Sequence, residues 1–157
     1  MVMNAQWRNA ISATLHCLTG CAIGEVLGMI IGSSLGWSNL ATVILSIALA
    51  FVFGYSLTMR PVLRAGVAFG AAISVALAAD TVSITVMEIM DNAVMVVIPG
   101  AITAGVLDWL FWLSLAISFV VAFVVTVPVN KWLIGRGKGH AVVHQYHHHD
   151  EHSEHAH

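Results

Sequence analysis

The sequence predicts an all-α integral membrane protein. It reads as a helical bundle of about four transmembrane helices, the third long or broken, with both termini in the cytoplasm. Three observations lead there. The 157 residues are 59% apolar and only 9% charged, against a usual charged share of about 25%. Apolar runs recur at lengths that cross a hydrocarbon core. The six Lys and Arg residues collect at one side of the resulting topology. So little charge excludes a disordered chain, a nucleic-acid binder and an ordinary soluble enzyme. With only Cys17 and Cys21 there is no disulfide framework.

The expected spans are 10–35, 40–59, 62–98 and 109–134 within a transmembrane domain, 1–139. The first holds one charge, Glu25; the second holds none; the last is apolar until Lys131. No period-2 alternation suggests barrel strands. Residues 62–98 are too long for one plain crossing, since as one helix they would rise roughly 55 Å. A tilted helix that emerges from the bilayer or a break near Asp80-Thr81 would resolve this, with a two-span hairpin as the alternative. Leu18-Thr19-Gly20-Cys21 has the outline of a lipoprotein cleavage site, but the apolar run continues past Cys21, so an uncleaved span is expected.

Charge sets the topology. With four spans and the N-terminus inside, Arg8, Arg60, Arg64, Lys131, Arg136 and Lys138 all fall on the cytoplasmic side, as the positive-inside rule requires. A fifth span would expel three of them. Trp7, Trp37, Trp109, Trp112 and Trp132 lie at or near span ends, where indole keeps its ring apolar and its N–H wet. A multi-pass membrane protein with cytoplasmic termini is expected.

The first span displays two columns at spacing four, and residues four apart share a helix face. Gly20, Gly24, Gly28 and Gly32 form one, with His16 at its head. Such a column lets another backbone approach closely, within the chain or in a homo-oligomer. Cys17, Cys21, Glu25 and Met29 form the other. Thiol, carboxylate and thioether on one face are a graded ladder of metal donors. Soft sulfur suits Cu(I), and thiolate with imidazole also suits Zn(II). A carboxylate inside a membrane costs about 2.5 kcal/mol or more and marks a functional position.

The third span is acidic. Asp80, Ile84, Glu88 and Asn92 form one column, and Ser83, Met87, Asp91 and Met95 another. The bland expectation is that Glu88 and Asp91 emerge at the surface and are solvated. The sharper one is a methionine-lined cation exit or proton relay, with Glu25, Glu88 and Asp91 as the protonatable groups. The last residues, 140–157, are a low-complexity tail with eight of the nine histidines. His140, His144, His147, His148 and His149 repeat at metal-ligand spacings, which suits Zn(II), Ni(II) or Cu(II) in a cytoplasmic tail that is disordered without ligand.

Three blocks carry a resemblance: His16-Cys17 through Gly24-Glu25, Met87-Glu88 through Met95 with Pro99-Gly100, and Pro128 through Gly139-His140. In these the chain resembles the bacterial membrane-protein family called domain of unknown function 4396. The family name carries no activity. Relatives with a heavy-metal-associated domain of the copper-chaperone type imply copper, with the histidine tail in a similar role here. Within the third block, Pro128 is expected to kink the fourth span, with Asn130 satisfying the freed backbone groups. Gly135 to Gly139 alternate with Arg136 and Lys138 but follow no strand, so no phosphate-binding loop is expected.

The functional expectation is a small membrane protein that binds and conducts a transition-metal cation, Cu(I) ahead of Zn(II) or Ni(II), along the Cys/Glu/Met face. A homo-oligomer would enclose the pore, and a metallochaperone is a candidate partner. The alternative is a membrane-anchored metal-binding or sensing protein without transport. A membrane redox or haem protein comes last, because no nucleophile-base-orienter set is visible and no enzyme activity is expected.

Overall fold

Small residues, rather than large apolar ones, decide which helix faces turn inward. The computed structural model describes residues 4–136. In them are four α-helices and no strand: α1 (Ala5–Ser34), α2 (Asn39–Arg64), α3 (Phe69–Val97) and α4 (Trp109–Gly135), with a single 3-10 turn at Ala101–Thr103. Each α-helix is long and apolar enough to cross a membrane. The histidines at 140, 144, 147, 148 and 149 lie outside the described residues.

Caps and turns fix the helix ends. Asn4, Ser38 and Asp108 accept backbone N–H groups at the starts of α1, α2 and α4, as short polar side chains do at N-caps. Gly36 follows α1 at φ +66°, and the Trp37 N–H reaches back to the Gly32 carbonyl at 2.9 Å. Gly66 takes the same role after α2 at φ +84°. Both positions need a left-handed conformation that a side chain would strain.

The expected 62–98 span divides differently. Pro61 sits inside the last turns of α2 without ending it, so residues as far as Arg64 belong to that helix. What remains is one continuous helix, α3, with no break at Asp80-Thr81. Its 29 residues rise about 44 Å, enough for a single crossing with its ends outside the core. Nor does Pro128 end α4, which continues to Gly135.

The register of α1 on α2 is regular. A Cβ on Gly20 would meet Gly54, one on Gly24 would meet Ala50, one on Gly28 would meet Ser46 and one on Gly32 would meet Thr42. Each step of four along α1 is matched by a step of four back along α2, so the two helices run antiparallel in close backbone contact. The glycine column is thus used within the chain, and it is not free to serve as the assembly face of an oligomer. Polar contacts align the rest. Cys17 meets Asp80 on parallel α3, while Ser83 meets Asn130 and Asp91 meets Ser118 on antiparallel α4. The result is an up-down-up-down bundle.

The interior is small and polar: Ala10, Ala50, Ala76, Ser83, Ser118 and Thr126 are all buried. Large apolar side chains point outward, with Leu40, Ile89 and Val120 more than half exposed. In water this distribution would be costly. In lipid it is expected, because helices there associate through close packing and hydrogen bonds rather than through apolar burial.

Gly24→Ala should therefore destabilise the protein although alanine favours helix by about 1 kcal/mol. Its Cβ would run into the Ala50 and Leu49 backbone, which cannot swing aside. Gly70→Ala, where a Cβ meets nothing within 4 Å, should be neutral or slightly stabilising. Thermal unfolding of both variants in detergent checks the contrast.

Candidate functional site

With the glycines of α1 held against α2, the adjacent column is turned toward α3. Cys17, Cys21 and Glu25 are all buried. Cys21 faces Glu88, and Glu25 lies within reach of both Asp91 and Glu88. The carboxyl groups of Glu25 and Asp91 come within hydrogen-bonding range of one another. Asp91 is held from α4 by the Ser118 hydroxyl, which donates to Asp91 Oδ1. Glu88 and Asp91 are each 5% exposed. The expectation that they emerge and are solvated is corrected: their faces of α3 pack on α1 and α4 well before the helix ends.

These three carboxyl groups line a cavity of about 130 Å³, room for several water molecules. Its mouth lies among exposed residues of the 33–39 and 102–105 segments, including Trp37 and Thr103. The Met29 and Met95 side chains line its wall, and Phe111 and Leu115 its apolar side. Glu25 Oε1 and both Glu88 carboxyl oxygens are buried without a hydrogen-bond partner. An unmet buried polar group costs about 1–3 kcal/mol, more when charged. Carboxyls left so at the closed end of a cavity await a proton, water or a cation.

Of the expected metal donors, the structure brings Cys21, Glu25, Glu88 and Asp91 together and sets Met29 and Met95 on the cavity wall. Met87 is buried with the thiols in the apolar cluster below. Cys17 is one turn away, beside Asp80, and His16 is half-buried on the neighbouring face. Among the described residues no group of three or more His, Cys, Asp and Glu side chains is arranged to hold a metal ion. The donors are strung along the bundle instead of gathered around one point.

A second polar cluster occupies the other half of the bundle. Asn130 Nδ2 donates to Thr14 Oγ1 at 2.8 Å, and the Ser83 hydroxyl donates to Asn130 Oδ1. One amide thus ties α1, α3 and α4. The expected role of Asn130, repair of backbone groups freed by Pro128, is replaced by this cross-helix bond. Sequence reasoning also passed over Ser118. A signal was present: Ser114, Ser118, Ala122, Thr126 and Asn130 stand at spacing four, and all are buried.

At the end carrying the start of α1 and the end of α4, Lys131 Nζ lies 4.0 Å over the Trp7 ring and Arg136 stacks 4.3 Å over Trp132. Half-exposed indoles with cationic partners are suited to a headgroup layer.

The chain belongs to the family described as Domain of unknown function (DUF4396), which matches residues 6–139. That match takes in the cavity and all four helices but for the first residue of α1. No curated protein and no solved structure matches the chain.

Asn130→Ala should lower stability by about 1–3 kcal/mol, because it strands the Ser83 hydroxyl in the interior, whereas Thr14 keeps its bond to the Ala10 carbonyl. A double-mutant cycle of Asn130→Ala with Ser83→Ala should return a coupling of about 0.6 kcal/mol or more, the scale for hydrogen bonds between membrane helices. Unfolding in mixed detergent measures both.

Proposed function

We propose that this protein carries a transition-metal cation across the bacterial cytoplasmic membrane, through the interior of its helical bundle. The observation that carries this reading is the closed end of the cavity, where Glu25, Glu88 and Asp91 line the wall and three carboxyl oxygens of Glu25 and Glu88 are unsatisfied. Ionisable groups inside a membrane-spanning bundle are costly and mark ion or proton pathways. The chemistry around them favours Cu(I), with Zn(II) or Ni(II) as alternatives: thioethers of Met29 and Met95 on the wall, then the Cys21 thiol beside Glu88, just beyond the lining. Donors spread along a path suit passage better than storage, since conduction needs sites that release as readily as they bind.

The bundle has both termini in the cytoplasm in this reading. Arg8, Arg60, Arg64, Lys131 and Arg136 sit at the α1 start, the α2 end and the α4 end, which is one end of an up-down bundle. The cavity then opens on the extracytoplasmic face. The histidine tail would meet the cation, or a metallochaperone, on the other side. Assembly of several copies would have to use a face other than the glycine column.

A second reading, metal binding or sensing without transport, is favoured by one feature: the cavity is lined no deeper than Glu88. Vesicles reconstituted with the protein separate the two. Transport predicts uptake of Cu(I), with Zn(II) and Ni(II) compared in parallel. Glu88→Gln should slow the initial rate by an order of magnitude or more, while lipid-facing Val120→Ala leaves it unchanged. Stoichiometric binding with no uptake would establish the second reading instead.

A further inference from the structure

The cavity stops at Glu88, but the polar interior does not. One turn back along α1, the Cys17 thiol donates to Asp80 Oδ1 at 3.6 Å. Asp80 is 0% exposed. The Thr58 hydroxyl of α2, also buried, lies near the same carboxyl and has no hydrogen-bond partner of its own. Cys17, Asp80 and Thr58 take no part in lining the cavity. They form a separate enclosed group, supplied by three helices.

Ile84 stands between the two regions. It lies one turn from Asp80 and one turn from Glu88 on the same face of α3. It is fully buried and packs with Cys17, Cys21 and Met87. Its Cδ1 enters the space left by the missing side chain of Gly54 on α2. A packed isoleucine with its tip seated in a glycine notch is an apolar constriction, and such constrictions stop hydrated ions.

We propose that Cys17 and Asp80 form a second, occluded station for a soft or borderline transition-metal cation, in series with the cavity and divided from it by the Ile84 side chain. This deepens the transport reading and rests on it. Thiolate and carboxylate together match Zn(II), Cd(II) and Cu(I) better than Mg(II) or Ca(II). The Thr58 hydroxyl adds an oxygen donor from α2 beside them. Two stations divided by one apolar side chain would let the ion pass stepwise, with Ile84 as the barrier between them.

Full-length protein carrying Cys21→Ser retains Cys17 as its only thiol, and Cd(II) serves as the probe. Sulfur-to-cadmium charge transfer absorbs in the ultraviolet, whereas the histidine tail gives no such band. The band should appear in Cys21→Ser, require about tenfold more Cd(II) in Cys21→Ser/Asp80→Asn, a loss of about 1.4 kcal/mol, and vanish in Cys17→Ser/Cys21→Ser. In the same Cys21→Ser background, a charged methanethiosulfonate reagent should modify Cys17 slowly. Ile84→Ala should speed this by an order of magnitude, and Ile84→Leu should restore the slow rate. Absence of the band, or labelling indifferent to Ile84, overturns the inner station even if vesicles take up metal. A band with the expected Asp80 and Ile84 dependence, in protein that shows no uptake, supports the station and overturns transport.

Discussion

The close approach of α1 to α2 is the constraint on which the other features depend. Four glycines at spacing four clear a stripe of α1; the α2 backbone moves in against Gly20, Gly24 and Gly28, and the Thr42 side chain against Gly32. In lipid, where apolar burial gives helices no reason to associate, such contact is the principal source of attraction. It also has a directional effect. With the glycine face fixed on α2, the neighbouring column of Cys17, Cys21 and Glu25 is turned toward α3. A thiol and carboxylate face that would be expelled from lipid is thereby placed inside the protein.

The polar groups of α3 and α4 complete what that placement begins. Asp91 is steadied by Ser118, and Asn130 joins three helices through Ser83 and Thr14. These bonds anchor opposite halves of the bundle and leave Glu25 Oε1 and Glu88 without partners between them. Stability and function are therefore divided among the buried polar residues. The bonded groups of Asn130, Ser83 and Ser118 hold the helices together, while Glu25 and Glu88 keep unsatisfied oxygens at the cavity. A network with every member satisfied would hold the bundle more firmly and would have nothing left to offer an ion.

Much of this was legible in the sequence, for a physical reason. Packing at spacing four writes itself into the chain as columns, so the glycine face, the Cys/Glu face and the acidic face of α3 could be read directly. The partners of those columns could not. The α2 column of Thr42, Ser46, Ala50, Gly54 and Thr58 has the same spacing, but its mixed residue types hide it in an apolar run. The glycine face was therefore open to being an interface between copies. Burial of Glu88 and Asp91 was undetermined for a similar reason: a carboxylate near a span end reads equally as solvated or enclosed until its tertiary neighbours are known. The α2–α3 boundary was obscured because Arg60-Pro61 looks like a loop, while the reversal lies at Gly66. Asn130 looked like a local repair for Pro128, and its reach across to α1 depends on packing that no local pattern encodes.

An ion path of the kind proposed requires water to enter the bundle as far as its buried carboxyl groups. Solvent access at one depth tests it most directly. Ser46 lines the cavity, and Ile44, two residues away on α2, faces lipid and is more than half exposed. In protein lacking both native cysteines and embedded in a bilayer, Ser46→Cys should react with a membrane-impermeant thiol reagent far faster than Ile44→Cys. Its reaction should also slow when Cd(II) is added to compete for the cavity. Equal, slow reaction at both positions would mean that the interior is dry, and the ion-path account would be wrong.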